Sequence, residues 1–229
     1  MTNKSVTSAN YFVSRRSLLA SGLATGLMLA GMPLAAFAKP AKPAAPSANA
    51  PDTNSKPGNA AQPGRPDVYL LRGFANIFSA GIDEIGADLQ AAGVDAHVEG
   101  NAAWRLVANR IIADRQKYGP QPVILVGHSL GANAIISIAE ILEKKGIRVD
   151  YMASFAATAP DPLPGNIRRV VNFYFSQNGW GLPLVPGPRF KGKLDNRDFS
   201  GVKEVGHFNI EKQRPLQAEV VRDILRILK

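Results

Sequence analysis

None of the 229 residues is cysteine, which excludes disulfide staples, thiolate metal sites, a cysteine nucleophile and a lipidated cysteine. Histidine is scarce too: His97, His128 and His207 are all there is, so imidazole chemistry has three possible carriers. Acidic side chains are absent from positions 1–38, where the charges are Lys4, Arg15 and Arg16. Between 39 and 66 Asp52 faces Lys39, Lys42, Lys56 and Arg65. The formal net charge of +9 therefore sits mostly outside residues 67–229, which hold 20 basic side chains against 17 acidic ones. So small a surplus, with no basic cluster or interleaved aromatics, gives no footprint for a phosphate backbone, and no nucleic-acid partner is expected. No motif for a metal, nucleotide or other cofactor occurs, and no internal repeat. What remains, 45% hydrophobic and 20% charged residues, is the composition of one globular domain with tails.

The N-terminus reads as an address. Ser14-Arg15-Arg16-Ser17-Leu18-Leu19 leads into an uncharged Ala-, Gly- and Leu-rich stretch that closes on Ala36-Phe37-Ala38, small residues where a signal peptidase reads. Lys39-Pro40 then ends the apolar pattern, so cleavage is expected after residue 38. The arginine pair in this weakly hydrophobic setting resembles the twin-arginine export signal, which implies the twin-arginine machinery as a partner and a periplasmic or secreted protein. An ordinary Sec signal with two basic residues is the plainer alternative. An uncleaved anchor is a further one, although the apolar segment is weak for a bilayer span, and the mature protein is expected not to cross a membrane. Residues 39–66 contain seven prolines and almost nothing to bury, so they are expected to form a disordered tether. The folded domain is expected over 67–229.

Within that domain, apolar runs alternate with helical patterns: a strand over 67–72, a helix over 79–92, a strand over 93–98, a helix over 102–118 and a strand over 122–126. A long helix follows, carrying Ile135, Ile138, Ala139 and Leu142 on one face and ending at Lys144-Lys145-Gly146. Further strands are expected over 149–155, 169–175 and 202–206, with a closing helix over 216–228. This is the rhythm of an α/β domain with a mostly parallel sheet and helices on both faces. The extended segment 177–200, with Trp180, Leu182, Leu184, Val185 and Phe190, is expected to form either a pocket wall or a packed surface loop.

Gly127-His128-Ser129-Leu130-Gly131 lies between the third strand and its helix. G-x-S-x-G has meaning in that context. A serine on a tight strand-to-helix turn is strained, the residues two before and two after it must be small to avoid collision, and the helix N-terminus supplies amide N–H groups and a positive dipole where an oxyanion would form. Ser129 is the expected nucleophile and the Leu130 N–H the expected oxyanion donor. Of the histidines, His207 follows the last expected strand and is the candidate general base, whereas His97 and His128 are read as structural. Sorting the acids between Ser129 and His207 by sheet edge leaves Asp161, past the end of a strand, as the candidate that orients His207. Asp195 and Asp198 precede an expected strand and Glu204 lies inside it.

These residues, together with Arg72-Gly73-Phe74 after the first strand and Gly206-His207-Phe208, resemble the α/β-hydrolase fold, and more narrowly small exported bacterial thioesterase-like or lipase-like hydrolases. The resemblance covers 67–229. It implies a reduced form of that fold without its leading antiparallel strands, and a second oxyanion donor at Gly73 or Phe74, of which Phe74 fits best. Where many members carry the acid, this chain reads Ser176-Gln177-Asn178, so a dyad helped by an amide or water stands beside Asp161. The implied activity is hydrolysis of a small-molecule or lipid carboxylic ester, or a thioester, through an acyl-enzyme. The competing reading is a catalytically silent binding or scaffolding module on the same fold.

Overall fold

β1 (Asp67–Arg72) and β3 (Val123–His128) are apolar along most of their length, and their pleat sends alternate side chains to opposite faces. Val68, Leu70, Ile124 and Val126 enter one buried cluster, while Tyr69, Leu71, Val123 and Leu125 enter another. Strands buried on both faces need helices above and below, and the chain supplies them. The computed structural model describes residues 65–74, 79–177 and 180–229; the expected export signal and all but the last two residues of the expected tether lie outside the described residues.

Among the described residues the sheet has six strands, all parallel: β1 and β3 with β2 (Ala96–Gly100), β4 (Tyr151–Phe155), β5 (Arg169–Tyr174) and β6 (Lys193–Asp198), in the order β2-β1-β3-β4-β5-β6. α1 (Ala80–Ala91) and α4 (Arg214–Ile227) cover one face with Ile82, Ile85 and Leu89 and with Leu216, Val220 and Ile224. α2 (Trp104–Tyr118) and α3 (Leu130–Lys144) cover the other with Val107 and Ile111 and with Ile135, Ile138 and Leu142. The three- and four-residue spacings put each set on one helical stripe, and every such side chain taken from water stabilises the fold by roughly 2 kcal/mol. The architecture is the expected α/β one with helices on both faces. From β1 the chain turns outward to β2 and then returns to β3 on the other side of β1. Such a reversal opens a crevice at the C-terminal ends of β1 and β3, where α/β sheets hold their ligands. Among the described residues no helix is long and apolar enough to cross a membrane.

Two expected elements are displaced. The second strand begins at Ala96 rather than near 93, because Gly93 takes φ 84° and the Val94 N–H still closes on the Leu89 carbonyl at 3.0 Å, finishing α1. The strand expected over 202–206 does not form. That stretch is a series of turns with Glu204 at φ 64°, and the last strand is β6, inside the segment taken for irregular. β6 reads Lys-Leu-Asp-Asn-Arg-Asp and shows no apolar alternation because it is an edge strand paired only with β5 and partly solvated. Its charges also discourage further pairing, and Arg197 bridges Asp195 at 2.7 Å and Glu219 of α4 at 2.8 Å. Asp195 is therefore within the strand, Asp198 ends it on the edge that carries the site, and Glu204 belongs to a turn.

Candidate active site

Ser129 follows β3 directly and has φ 56° and ψ −120°, a left-handed conformation that costs a non-glycine residue on the order of 1–3 kcal/mol. The surroundings hold it there. Its N–H donates to the Phe155 carbonyl at 2.9 Å, and its own carbonyl accepts from Ala132 N–H at 3.0 Å and Asn133 N–H at 3.2 Å. A Cβ on Gly127 would lie 2.4 Å from the Gly131 carbonyl oxygen, and one on Gly131 would lie 2.1 Å from that of Leu71. Both glycines are thus sterically required, as the motif implied.

His207 lies in the turns between β6 and α4. Asn209 knots that loop: its Oδ1 accepts from Gly206 N–H at 2.8 Å and its Nδ2 donates to the Glu204 carbonyl at 2.8 Å. The His207 Nε2 stands 3.0 Å from Ser129 Oγ, and its Nδ1 stands 3.0 Å from the Trp180 carbonyl oxygen. A carbonyl can only accept, so Nδ1 carries the proton and the Nε2 lone pair faces the serine hydroxyl. That is the tautomer a general base needs. The indole of Trp180 and the ring of Phe208 both meet the imidazole edge-on, with centroids at 5.2 Å and 5.0 Å. Burial lowers the pKa of His207 below the ordinary histidine value, and the Trp180 carbonyl opposes that only in part.

The structure brings Ser129 and His207 together and does not bring Asp161 to them. Asp161 is exposed, beyond the loop that Asn133 of α3 pins through Thr158 and Ala159, and its charge falls on Glu140 of α3. The Nδ1 position that the sheet-edge argument assigned to a carboxylate belongs to a main-chain oxygen. Asp198, on the correct edge after all, is taken up in the loop: Oδ1 accepts from Ser200 N–H at 2.8 Å, Ser200 Oγ–H at 2.6 Å and Ser176 N–H at 3.2 Å. The Ser176 side chain first, and then the side chain and N–H of Ser200, hold its carboxyl well below the usual carboxylate range. Of Ser176-Gln177-Asn178, where many members of the resembled fold carry the acid, Asn178 is outside the described residues.

Above Ser129 opens a pocket of about 370 Å³ walled by Phe74, Leu130, Trp180 and Phe208, with Thr158 and the two histidines His128 and His207 as its polar side chains besides serines. Leu130 begins α3 and Phe74 follows β1, so both expected oxyanion residues are at the mouth. Among the described residues no Asp, Glu, Lys or Arg lines it. His97, expected to be structural, stacks on Tyr69 at 5.2 Å away from the pocket. His128, given the same role, is buried against the site itself. Two participants were not foreseen. The Trp180 carbonyl has no sequence signal, because any residue type offers one. Ser79 has a misleading one: it precedes α1 as a helix cap would, yet makes no cap bond, and its hydroxyl turns to Gly73 and His128 instead. Among the described residues no group of three or more His, Cys, Asp or Glu could hold a metal ion.

Neither a protein-family model nor a curated protein sequence matches the chain. Solved structures do resemble it. A Xanthomonas campestris pv. campestris protein assigned to the alpha/beta hydrolase superfamily is 15% identical, covering 72% of this chain and all of its own, with a TM-score of 0.43. An Agrobacterium tumefaciens protein of unknown function is 19% identical, covering 73% and 93%, with a TM-score of 0.42. The type II thioesterase BorB of the borrelidin biosynthetic cluster is 16% identical, covering 71% and 95%, with a TM-score of 0.41. At these values the fold rests on the chain's own sheet order and elbow, and any activity on its own side chains.

Proposed function

We propose that this protein is an exported serine hydrolase that cleaves an uncharged, apolar carboxylic ester or thioester. The observation that carries the reading is the 3.0 Å approach of His207 Nε2 to Ser129 Oγ at a strained elbow beneath an apolar pocket. As Ser129 Oγ bonds to the acyl carbon, its proton moves to His207 Nε2, and the oxygen of the former carbonyl becomes an oxyanion held by the N–H groups of Leu130 and Phe74 at the positive end of α3. The tetrahedral intermediate collapses, the C–O or C–S bond breaks, and His207 returns the proton to the leaving group. Water then repeats the sequence and frees the acid. The Trp180 carbonyl orients His207 but brings no full negative charge to stabilise imidazolium, and Asp161 has no part. Because no charged side chain among the described residues lines the pocket, the groups flanking the scissile bond should be uncharged, as in a lipid or a simple external ester.

Purified mature protein should be labelled by a fluorophosphonate at Ser129 and should hydrolyse short p-nitrophenyl esters. Folded protein that neither labels nor turns over would favour the binding-module reading, for which the missing carboxylate on His207 is the supporting observation. Export is tested separately, by replacing Arg15 and Arg16 with Lys. The twin-arginine route requires the pair itself, so periplasmic protein should fall, whereas unchanged levels would assign the route to Sec.

A further inference from the structure

His128 is the unspecified second residue of the elbow motif, and the chemistry above gives it nothing to do. Its ring is nevertheless buried and held at both nitrogens. Nε2 lies 2.8 Å from the His207 carbonyl oxygen, and Nδ1 lies 2.8 Å from Ser79 Oγ, which is itself 2.8 Å from the Gly73 nitrogen. The direction of every bond in this chain is forced. A carbonyl oxygen cannot donate, so Nε2 carries the proton. With Nε2 protonated on a neutral ring, Nδ1 is bare and accepts the Ser79 hydroxyl hydrogen. The lone pairs of that hydroxyl then accept the Gly73 N–H. The opposite tautomer would set a bare nitrogen against a carbonyl oxygen and leave the Ser79 hydrogen without its acceptor in a fully buried place.

We propose that His128 is a positioning residue whose Nε2-protonated ring ties the main chain of the base His207 to the loop carrying Gly73 and Phe74, with Ser79 as the second link. The proposal rests on the serine-hydrolase reading. One ring sets both partners of the nucleophile, the base on one side and the oxyanion loop on the other, and the ring itself is covalently adjacent to Ser129. The chain also distinguishes the two oxyanion candidates: the Gly73 N–H is consumed by Ser79, which leaves Phe74 N–H without a partner among the described residues.

The network should hold across the working pH range. Burial first, and then the nearby His207 and Lys212, push the pKa of His128 down to about 4, against the opposing pull of the His207 carbonyl. The remaining titratable group facing it is Glu211, fully buried with Oε2 at 3.7 Å from Nε2, whose carboxyl burial pushes up to about 7. The two histidines, with ring centroids 5.1 Å apart, are thereby assigned opposite tautomers, Nδ1–H for His207 and Nε2–H for His128.

The test uses the folded domain as it stands in the mature protein. Nitrogen NMR of the histidine rings at pH 5.5 should show His128 neutral and protonated on Nε2. Ser79→Ala, which cuts only the loop arm, should lower kcat for a p-nitrophenyl ester about tenfold with KM changed less than about twofold and the pH midpoint unmoved. His128→Leu, which cuts both arms, should lower kcat about 10²-fold, the scale of a misplacement of about 1 Å. His128→Gln, which keeps an N–H for the His207 carbonyl, should recover part of that loss. A His128 ring that is cationic or Nδ1-protonated at pH 5.5, or a Ser79→Ala enzyme with wild-type kcat, overturns the proposal even if His128→Leu fails to fold. Wild-type protein that is folded but neither labelled nor active instead sinks the hydrolase reading, and the tautomer measurement still decides the network.

Discussion

The turn from β3 to α3 and the loop from β6 to α4 deliver the two groups proposed to react, and they do so by different physics. In the first, Gly127, Ser129 and Gly131 are within five residues, the strained φ follows from an apolar strand running straight into an amphipathic helix, and collisions of 2.1–2.4 Å make the glycines obligatory. In the second, β6 is a polar edge strand, the turns that follow it are knotted by Asn209, and His207 is aimed by Trp180, 27 residues away. A nucleophile can thus be built from local backbone geometry, whereas its base depends on long-range closure of irregular chain.

Two substitutions show whether each region is indispensable. His207→Gln should remove nearly all turnover, at least about 10³-fold, while thermal unfolding stays cooperative, because the proton acceptor is gone and the fold does not rest on it. Turnover within tenfold of wild type would mean that another group serves as base. Gly131→Ala tests the local region: its Cβ would lie 2.1 Å from the Leu71 carbonyl oxygen, and the forced shift of α3 from β1 should cost about 3 kcal/mol or more in a denaturant titration. An Ala variant of wild-type stability would show that the elbow is looser than its geometry.

Two smaller effects concern the surroundings of His207. In the proposed mechanism its neutral form is the base, and burial lowers its pKa, so the neutral form persists to more acid pH and activity should rise to its plateau through a midpoint below about 6.5. A carboxylate partner would have raised that midpoint, so a kcat/KM profile centred above about 6.5 would argue for an acid not paired in this structure. Asp161→Asn should change neither the midpoint nor kcat by more than about twofold, since Asp161 is exposed and its charge is felt by Glu140, a group distinct from the base. A large loss in that variant would return Asp161 to the mechanism.

Wherever both faces of a strand are buried or a motif is compact, the sequence was legible. The apolar runs of β1 and β3 and the helical stripes of α1 to α4 dictate the layered α/β architecture, and the elbow names Ser129, because hydrophobic burial and steric exclusion act between residues close along the chain. His207 was reached from the scarcity of histidine together with its place after a strand expected over 202–206, which does not form. The position of β6 did not follow, since an edge strand with solvated faces leaves no alternation to read, and that misplacement put Asp195 and Asp198 before a strand, at the wrong edge, and Glu204 inside one. The partner of His207 was beyond sequence for a deeper reason: a carbonyl belongs to every residue alike, and only the tertiary path of the chain brings that of Trp180 to within 3.0 Å of an imidazole. The same holds for the second bond partner that turns Ser79 from a helix cap into a link between His128 and Gly73.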